Sequence, residues 1–415
     1  MKKLSIVVFV LLMSTMTFAQ KKAKFGIKFS GFVKSDIIFD SRQTVTAREG
    51  HFLLYPMSAD LDQYGKDING KSNFNILSIQ SRLKGVITGP DAFGAKTSAL
   101  IEGAFFGHTN ADINGFRLRH AFVKLNWETT ELLVGQYWHA MFITSCFPGT
   151  VSFNTGVPFQ PFSRNPQIRL TQKAEKFKFI FTVMSQRDFS STGPDGISSK
   201  YLRNNVMPEL NFTLQYEGKC AKGNSYLFGA GVDYLSLTPR IKTKTKGGSA
   251  TENAVNGFSL MAFMKIVAGN ISWKAEVVCG QNTTHLLMLG GYAEAKITDP
   301  ITNEKAYTPI KTLSLWTDLH TNGKKFQLGL FAGYTKNNGV DGTKLLGGSV
   351  FSRGLNIDYV YRISPRMIFN SGKMRFAGEI EYTVAGYGVT QPNLTVANTK
   401  SVKNLRLLIG VYYFF

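Results

Sequence analysis

An alternation of apolar and polar residues, returning along almost the whole chain, constrains its fold more than any other feature. Across residues 24–40 the odd positions carry Phe25, Ile27, Phe29, Val33, Ile37 and Phe39, and the even ones Lys24, Lys28, Ser30, Lys34, Asp36 and Asp40. A period of two belongs to a β-strand with one greasy and one wet face. Residues 209–217 repeat it, with Leu210, Phe212, Leu214 and Tyr216 against Glu209, Asn211, Thr213, Gln215 and Glu217. Sixteen such segments follow one another: 24–40, 74–88, 96–108, 115–127, 131–143, 164–173, 177–186, 207–217, 224–237, 256–268, 270–281, 308–320, 324–336, 354–370, 373–385 and 402–415. Beyond the first twenty residues no run of about 18 apolar residues occurs, so no transmembrane helix is expected. An even set of strands predicts an all-β fold, a transmembrane antiparallel β-barrel of about 16 strands, with counts of about 14–18 within the boundary error.

Connection lengths test that reading independently, because such barrels have short turns at one mouth and long loops at the other. The connections after even-numbered strands are 89–95, 128–130, 174–176, 218–223, Gly269, 321–323 and 371–372, all short. The others, 41–73, 109–114, 144–163, 187–206, 238–255, 282–307, 337–353 and 386–401, are long apart from 109–114. Turn chemistry agrees: Thr321-Asn322-Gly323, Asn370-Ser371-Gly372 and Gly269-Asn270 sit in the tight positions.

The first residues set the compartment. Lys2 and Lys3 precede an apolar stretch from Leu4 to Met16 and a small-residue exit at Ala19, the pattern of a cleaved secretory signal over residues 1–19. Residues 20–415 are then a single barrel domain, with too little length ahead of the first strand for a plug. Charged residues make up 18% of the chain, below the roughly 25% of a soluble domain, as expected where each strand gives half its residues to lipid. A net charge of +21 on an exported barrel points away from nucleic acid and toward the channel wall. Cys146, Cys220 and Cys279 stand far apart, and the six histidines show no metal-ligand spacing. No nucleophile motif or phosphate-cradling loop occurs, so neither catalytic residues, nor a metal, nor another cofactor is expected.

Barrels of 16–18 strands leave an aqueous channel, whereas smaller ones are filled. The expectation is therefore a passive pore for small hydrophilic solutes in the bacterial outer membrane. An outer-membrane barrel enzyme, or a structural or adhesive barrel with a blocked lumen, is the alternative. The connection 144–163 contains Phe147, Phe153, Phe159 and Phe162 and no charged residue. Such a loop would leave a large apolar patch in water, so it is expected to fold inward as a constriction. Basic residues outnumber acidic ones on the wet faces, and rings of Arg or Lys select anions. Anion preference is assigned to Arg82, Lys84, Arg117, Arg119, Arg164 and Arg169, although Arg117 and Arg119 share the parity of the outward Ala121, Val123 and Leu125.

The last segment alternates Leu405, Leu407, Ile409, Val411, Tyr413 and Phe415 outward and stops on an aromatic. In this it resembles outer-membrane β-barrel proteins generally, whose terminal aromatics, here Tyr413 and Phe415, form part of the signal read by the barrel-assembly machinery. The run Leu132-Leu133-Val134-Gly135-Gln136-Tyr137-Trp138, with Arg117-Leu118-Arg119-His120-Ala121-Phe122 before it and Phe142 after it, resembles the DcaP-like porins. The motif spans roughly residues 115–170, and the periplasmic coiled coil of some members is missing. The resemblance implies a homotrimer, a general-to-anion-preferring diffusion channel and small dicarboxylates as solutes. Outer-membrane lipid and lipopolysaccharide are the remaining expected partners.

Overall fold

The computed structural model describes residues 25–415 except 108, 221, 222, 244 and 246. The segment expected to be a signal peptide lies outside the described residues. Sixteen barrel strands are present among the described residues. They are β1 (Gly26–Asp40), β2 in two pieces (Asn73–Leu77 and Arg82–Thr88), β3 (Lys96–Ala104), β4 (Arg117–Asn126), β5 (Thr130–Trp138), β6 (Arg164–Ala174), β7 (Phe177–Met184) and β8 (Glu209–Lys219). The other half comprises β9 (Ser225–Leu237), β10 (Val255–Ala268), β11 (Ile271–Gln281), β12 (Glu304–Thr321), β13 (Phe326–Gly339), β14 (Ile357–Ser371), β15 (Met374–Thr390) and β16 (Val396–Phe414). Each pairs antiparallel with its sequence neighbours, and β1 closes the cylinder on β16 from Phe32↔Phe414 to Asp40↔Arg406. Closure removes the sheet edges that an open sheet would expose to lipid.

Burial is inverted relative to a water-soluble protein. Phe74, Ile101, Val123, Ile168, Leu260, Ile363, Leu407 and Ile409 point outward and are exposed. Lys34, Asp36, Asp40, Ser314, Arg362, Glu381 and Arg406, alternating with such residues, are buried on the inside. An apolar band outside and a polar interior are the signature of a lipid-spanning barrel.

Three differences from the expected boundaries have local causes. The stretch 386–401, expected as a long loop, is mostly zipped: the β15–β16 ladder continues to Thr390↔Val396. Residues Gly290–Asp299 likewise form a strand, pairing with the start of β12 between Gly291↔Ile310 and Asp299↔Glu304. Both lie at the long-loop end of the barrel, where the faces no longer divide between lipid and water: the adjacent Tyr292 and Ala293 are both buried, so the period-two signal vanishes although the hydrogen bonding does not. The strand β5 ends at Trp138 instead of continuing to residue 143, because residues 139–143 turn into the lumen.

Three long connections meet inside the barrel. Phe52, Leu54 and Tyr55 from the first, Phe142, Phe153, Val157, Phe159 and Phe162 from the third, and Leu286, Met288 and Leu289 from the sixth form one buried apolar cluster. The first carries a small hairpin, Thr44–Ala47 paired with Phe52–Pro56.

Candidate permeation site

The loop 144–163 is tied to the inner wall by its backbone. Val151 and Ser152 donate their N–H groups to Glu379 Oε2 of β15 at 2.6 and 2.7 Å, and Gly149 N–H donates to Asp318 Oδ2 of β12 at 3.2 Å. Carbonyl oxygens of the loop accept from Lys34 (Val151, 3.0 Å), Lys274 (Phe147, 3.0 Å) and Arg362 (Val157, 2.8 Å). Hydrogen bonds to charged groups contribute roughly 1.5–3 kcal/mol each, so the apolar side chains are held by a polar frame. Phe153 and Phe162 are buried at 5.8 Å from each other. Phe159 packs against Phe331 and the Arg362 guanidinium, and Phe147 remains exposed.

The first connection enters alongside. Its hairpin carbonyls at Leu53 and Leu54 accept from Arg362, the Gly50 carbonyl accepts from Arg406 Nη1 at 2.8 Å, and Leu53 N–H donates to Asn154 of the other loop at 2.7 Å. At its tip Arg48 is fully buried against Phe106 (4.7 Å) and Phe153 (5.1 Å), and burial pushes its pKa down to about 9, still cationic at neutral pH. His51 stacks on Phe153 at 4.3 Å; burial first, then Arg48, Lys34 and Arg406, hold it well below the ordinary imidazole value. Sequence reasoning missed this second intruding loop. Its signal was present in Phe52-Leu53-Leu54-Tyr55-Pro56, an uncharged apolar run inside a connection.

The basic residues named from the sequence fall into three groups. Arg82, Lys84 and Arg119 line a cavity of about 360 Å³ with Glu102, Phe122, Tyr137, Trp138, Phe142, Phe147, Phe153 and Phe162. Arg169 lines a second cavity of about 280 Å³ with Lys124, Lys173 and Lys178. Arg117 and Arg164 sit behind the first, both paired with Asp188, Arg164 Nε at 2.7 Å. Glu102 is shared by Arg119 (2.7 Å) and Arg82 (3.5 Å).

The parity of Arg117 and Arg119 is reset by a β-bulge. Gly103 pairs with Leu118 and Glu102 with His120, leaving Arg119 as the extra residue. One extra residue flips the following alternation, so Arg117 and Arg119 face the lumen while Val123, of the same parity, faces lipid. The neighbouring strand supports the kink. Gln136 Nε2 donates to the Arg119 carbonyl at 3.0 Å. Gly135, opposite Phe122, has φ +133°, and a Cβ there would run into the Ala121 carbonyl and the Phe122 Cα. Only glycine fits.

Tyr413 and Phe415 are half-exposed on the outer face, and Phe415 exchanges both backbone hydrogen bonds with Gly31 at 3.2 Å, at the closing seam. Among the described residues one buried group has metal-ligating composition, His139, Glu209 and His285. Both imidazole Nε2 atoms meet the same Glu209 oxygen at 2.9 and 2.8 Å, while His139 Nδ1 accepts the Met141 N–H at 3.1 Å. That acceptance leaves the His139 proton on Nε2 as a donor. The trio is a hydrogen-bonded tie between β8 and two of the intruding connections.

No protein-family model and no curated protein matches the chain. Solved structures do match in fold. The outer membrane channel DcaP of Acinetobacter baumannii aligns with a TM-score of 0.68 at 16% identity, covering 94% of this chain and 97% of that one. The anion-selective porin from Comamonas acidovorans aligns at 0.57 with 11% identity, covering 94% and 100%. OmpT of Vibrio cholerae aligns at 0.54 with 10% identity, covering 94% and 98%. The chain thus has the sixteen-stranded fold of outer-membrane channels.

Proposed function

We propose that this protein is an outer-membrane porin, a passive diffusion channel for small hydrophilic solutes that prefers anions, small dicarboxylates among them. The observation that carries the preference is the imbalance at the larger of these two cavities: Arg82, Lys84 and Arg119 face it with Glu102 as the acidic partner, Arg117 and Arg164 stand behind with Asp188, and Arg48 lies against the lining ring of Phe153. Cations in a low-dielectric wall raise the local anion concentration and lower the barrier to anion entry. The likeness to an anion-selective porin supports the same reading. A homotrimer, contact with lipid and lipopolysaccharide, and delivery by the barrel-assembly machinery through Tyr413 and Phe415 belong to this proposal.

The test is the reversal potential of purified protein in planar bilayers under a potassium chloride gradient. Chloride preference is expected, and cation preference overturns the assignment. The packed apolar cluster in the lumen favours a second reading, a barrel blocked by its own loops. Steady single-channel steps support the porin, whereas their complete absence supports the blocked barrel.

A further inference from the structure

We infer that permeation is eccentric, running down one side of the lumen along the inner faces of β2–β10 through a neck formed by Tyr137, Phe142 and Thr144. The inference rests on the porin reading and adds the route and the residues that set its width.

Three observations converge on it. The cavity beside Arg82 and Arg119 and the cavity beside Arg169 share three lining residues, Tyr137, Phe142 and Thr144. The second cavity shares Ser145 with a third, of about 370 Å³, lined by Glu217, Lys219, Ser225 and Lys265 next to the short turns. The three spaces therefore form a series from the loop-covered level of the lumen to the short-turn mouth. Thr144 and Ser145 are exposed although the loop residues on either side of them, Ile143 and Cys146, are buried.

The opposite side of the lumen is closed. The inward side chains Ser314, Asp318, Thr335, Arg362, Ser364, Glu379, Glu381, Thr383 and Arg406 are all buried. They spend their hydrogen bonds on one another and on the loop backbone, as in Ser314–Thr335 (2.6 Å), Arg362 Nε to Thr383 (2.8 Å) and Arg366 Nη1 to Asp318 (2.7 Å). A hydrated ion gains nothing there without breaking charged hydrogen bonds.

Phe142 is positioned firmly. Its ring stacks on Trp138 at 3.9 Å and 10°, and Trp138 in turn faces the Arg164 guanidinium at 4.9 Å. Tyr137 stands under the Arg169 guanidinium at 5.2 Å. The neck is thus aromatic with cations on both sides. An anion passing it leaves the Arg82–Arg119 site and meets Arg169 next.

Two bilayer experiments on the full-length protein test the route. Phe142→Ala is expected to raise the single-channel conductance severalfold, because the narrowest segment in a series dominates resistance. Phe331→Ala, which empties space on the closed side within β13, is expected to leave it nearly unchanged. The second experiment keeps the ring and uses Thr144→Cys with Cys220 and Cys279 replaced by Ser. Native Cys146 is buried and its thiol is pushed up to about 12, so it stays inert. An anionic methanethiosulfonate reagent should lower the conductance of Thr144→Cys and leave Thr335→Cys, on the closed side, unaffected. Equal conductance in Phe142→Ala and wild type, or block at Thr335→Cys without block at Thr144→Cys, overturns the eccentric route while leaving the porin reading intact. No conductance in the wild-type protein overturns the porin reading and the route with it.

Discussion

The two halves of the inner wall are built from the same kinds of residue and do opposite things. Along β12–β16 and β1, Lys34, Arg362, Arg366 and Arg406 face Asp36, Asp40, Asp318, Glu379 and Glu381, and each cation has an acid within reach: Arg406 Nη2 at 2.6 Å from Asp40, and Lys34 at 2.8 Å from Asp36. Along β2–β7, Arg82, Lys84, Arg119, Lys124, Arg169, Lys173 and Lys178 border open cavities with fewer acids. A balanced charge set can be buried, since its members satisfy one another and leave acceptors over for loop N–H groups. An unbalanced set has to keep water or a mobile counter-ion. Charge balance, more than charge content, divides the wall that holds the loops from the wall that faces solute.

The sharpest way to break this contrast is at Glu379. Glu379→Ala strands the Val151 and Ser152 N–H groups and the Ser364 hydroxyl, each at a cost of about 1–3 kcal/mol. The expected result is a loop 144–163 cut by added protease in detergent-solubilised protein, under conditions where the wild-type loop resists. A smaller effect is expected at Lys84, which borders the open cavity and is only partly buried. Lys84→Glu should shift the reversal potential toward cations while leaving the melting temperature within a few degrees of wild type, because the site is hydrated.

The smallest effect concerns pH. His51 is held neutral by burial and by the cations Arg48, Lys34 and Arg406, so its folded-state pKa lies below that of the unfolded chain. The unfolded chain binds the extra proton first, and the stability contributed is full above about 6.5 and falls progressively as pH drops below that value. Thermal unfolding in detergent between pH 7.5 and 5 should show a falling melting temperature, and His51→Phe, which keeps the stack on Phe153, should reduce the slope. An unchanged slope would remove His51 from the account.

Much of the barrel was legible because its physics is local. A strand between lipid and water must alternate, so Leu210 to Tyr216 and Ile363 to Met367 declare their faces residue by residue. The short turns declared themselves through Asn and Gly. Where the faces do not divide between lipid and water, as in residues 290–299 and 386–401, the same ladder carries no pattern and reads as loop. At the candidate site the sequence supplied Arg82, Lys84 and Arg169 by parity, but parity alone pointed Arg117 and Arg119 at lipid. The bulge at Arg119 depends on Gly135 and Gln136 of the adjoining strand, and a single strand's pattern does not contain its partner's shape.

The amino-acid sequence by itself determined a closed antiparallel barrel of about sixteen strands, the two unequal mouths, and the apolar loop that water would not tolerate. The tertiary structure decided which loops share the lumen, that Arg48 and His51 come in with residues 44–56, and which half of the wall stays open. The reason is that alternation records only what each face touches, lipid or not lipid. What lies across an interior is fixed by which distant charges find partners, and Glu379 with Val151, or Arg362 with Leu54, are separated by more than two hundred residues.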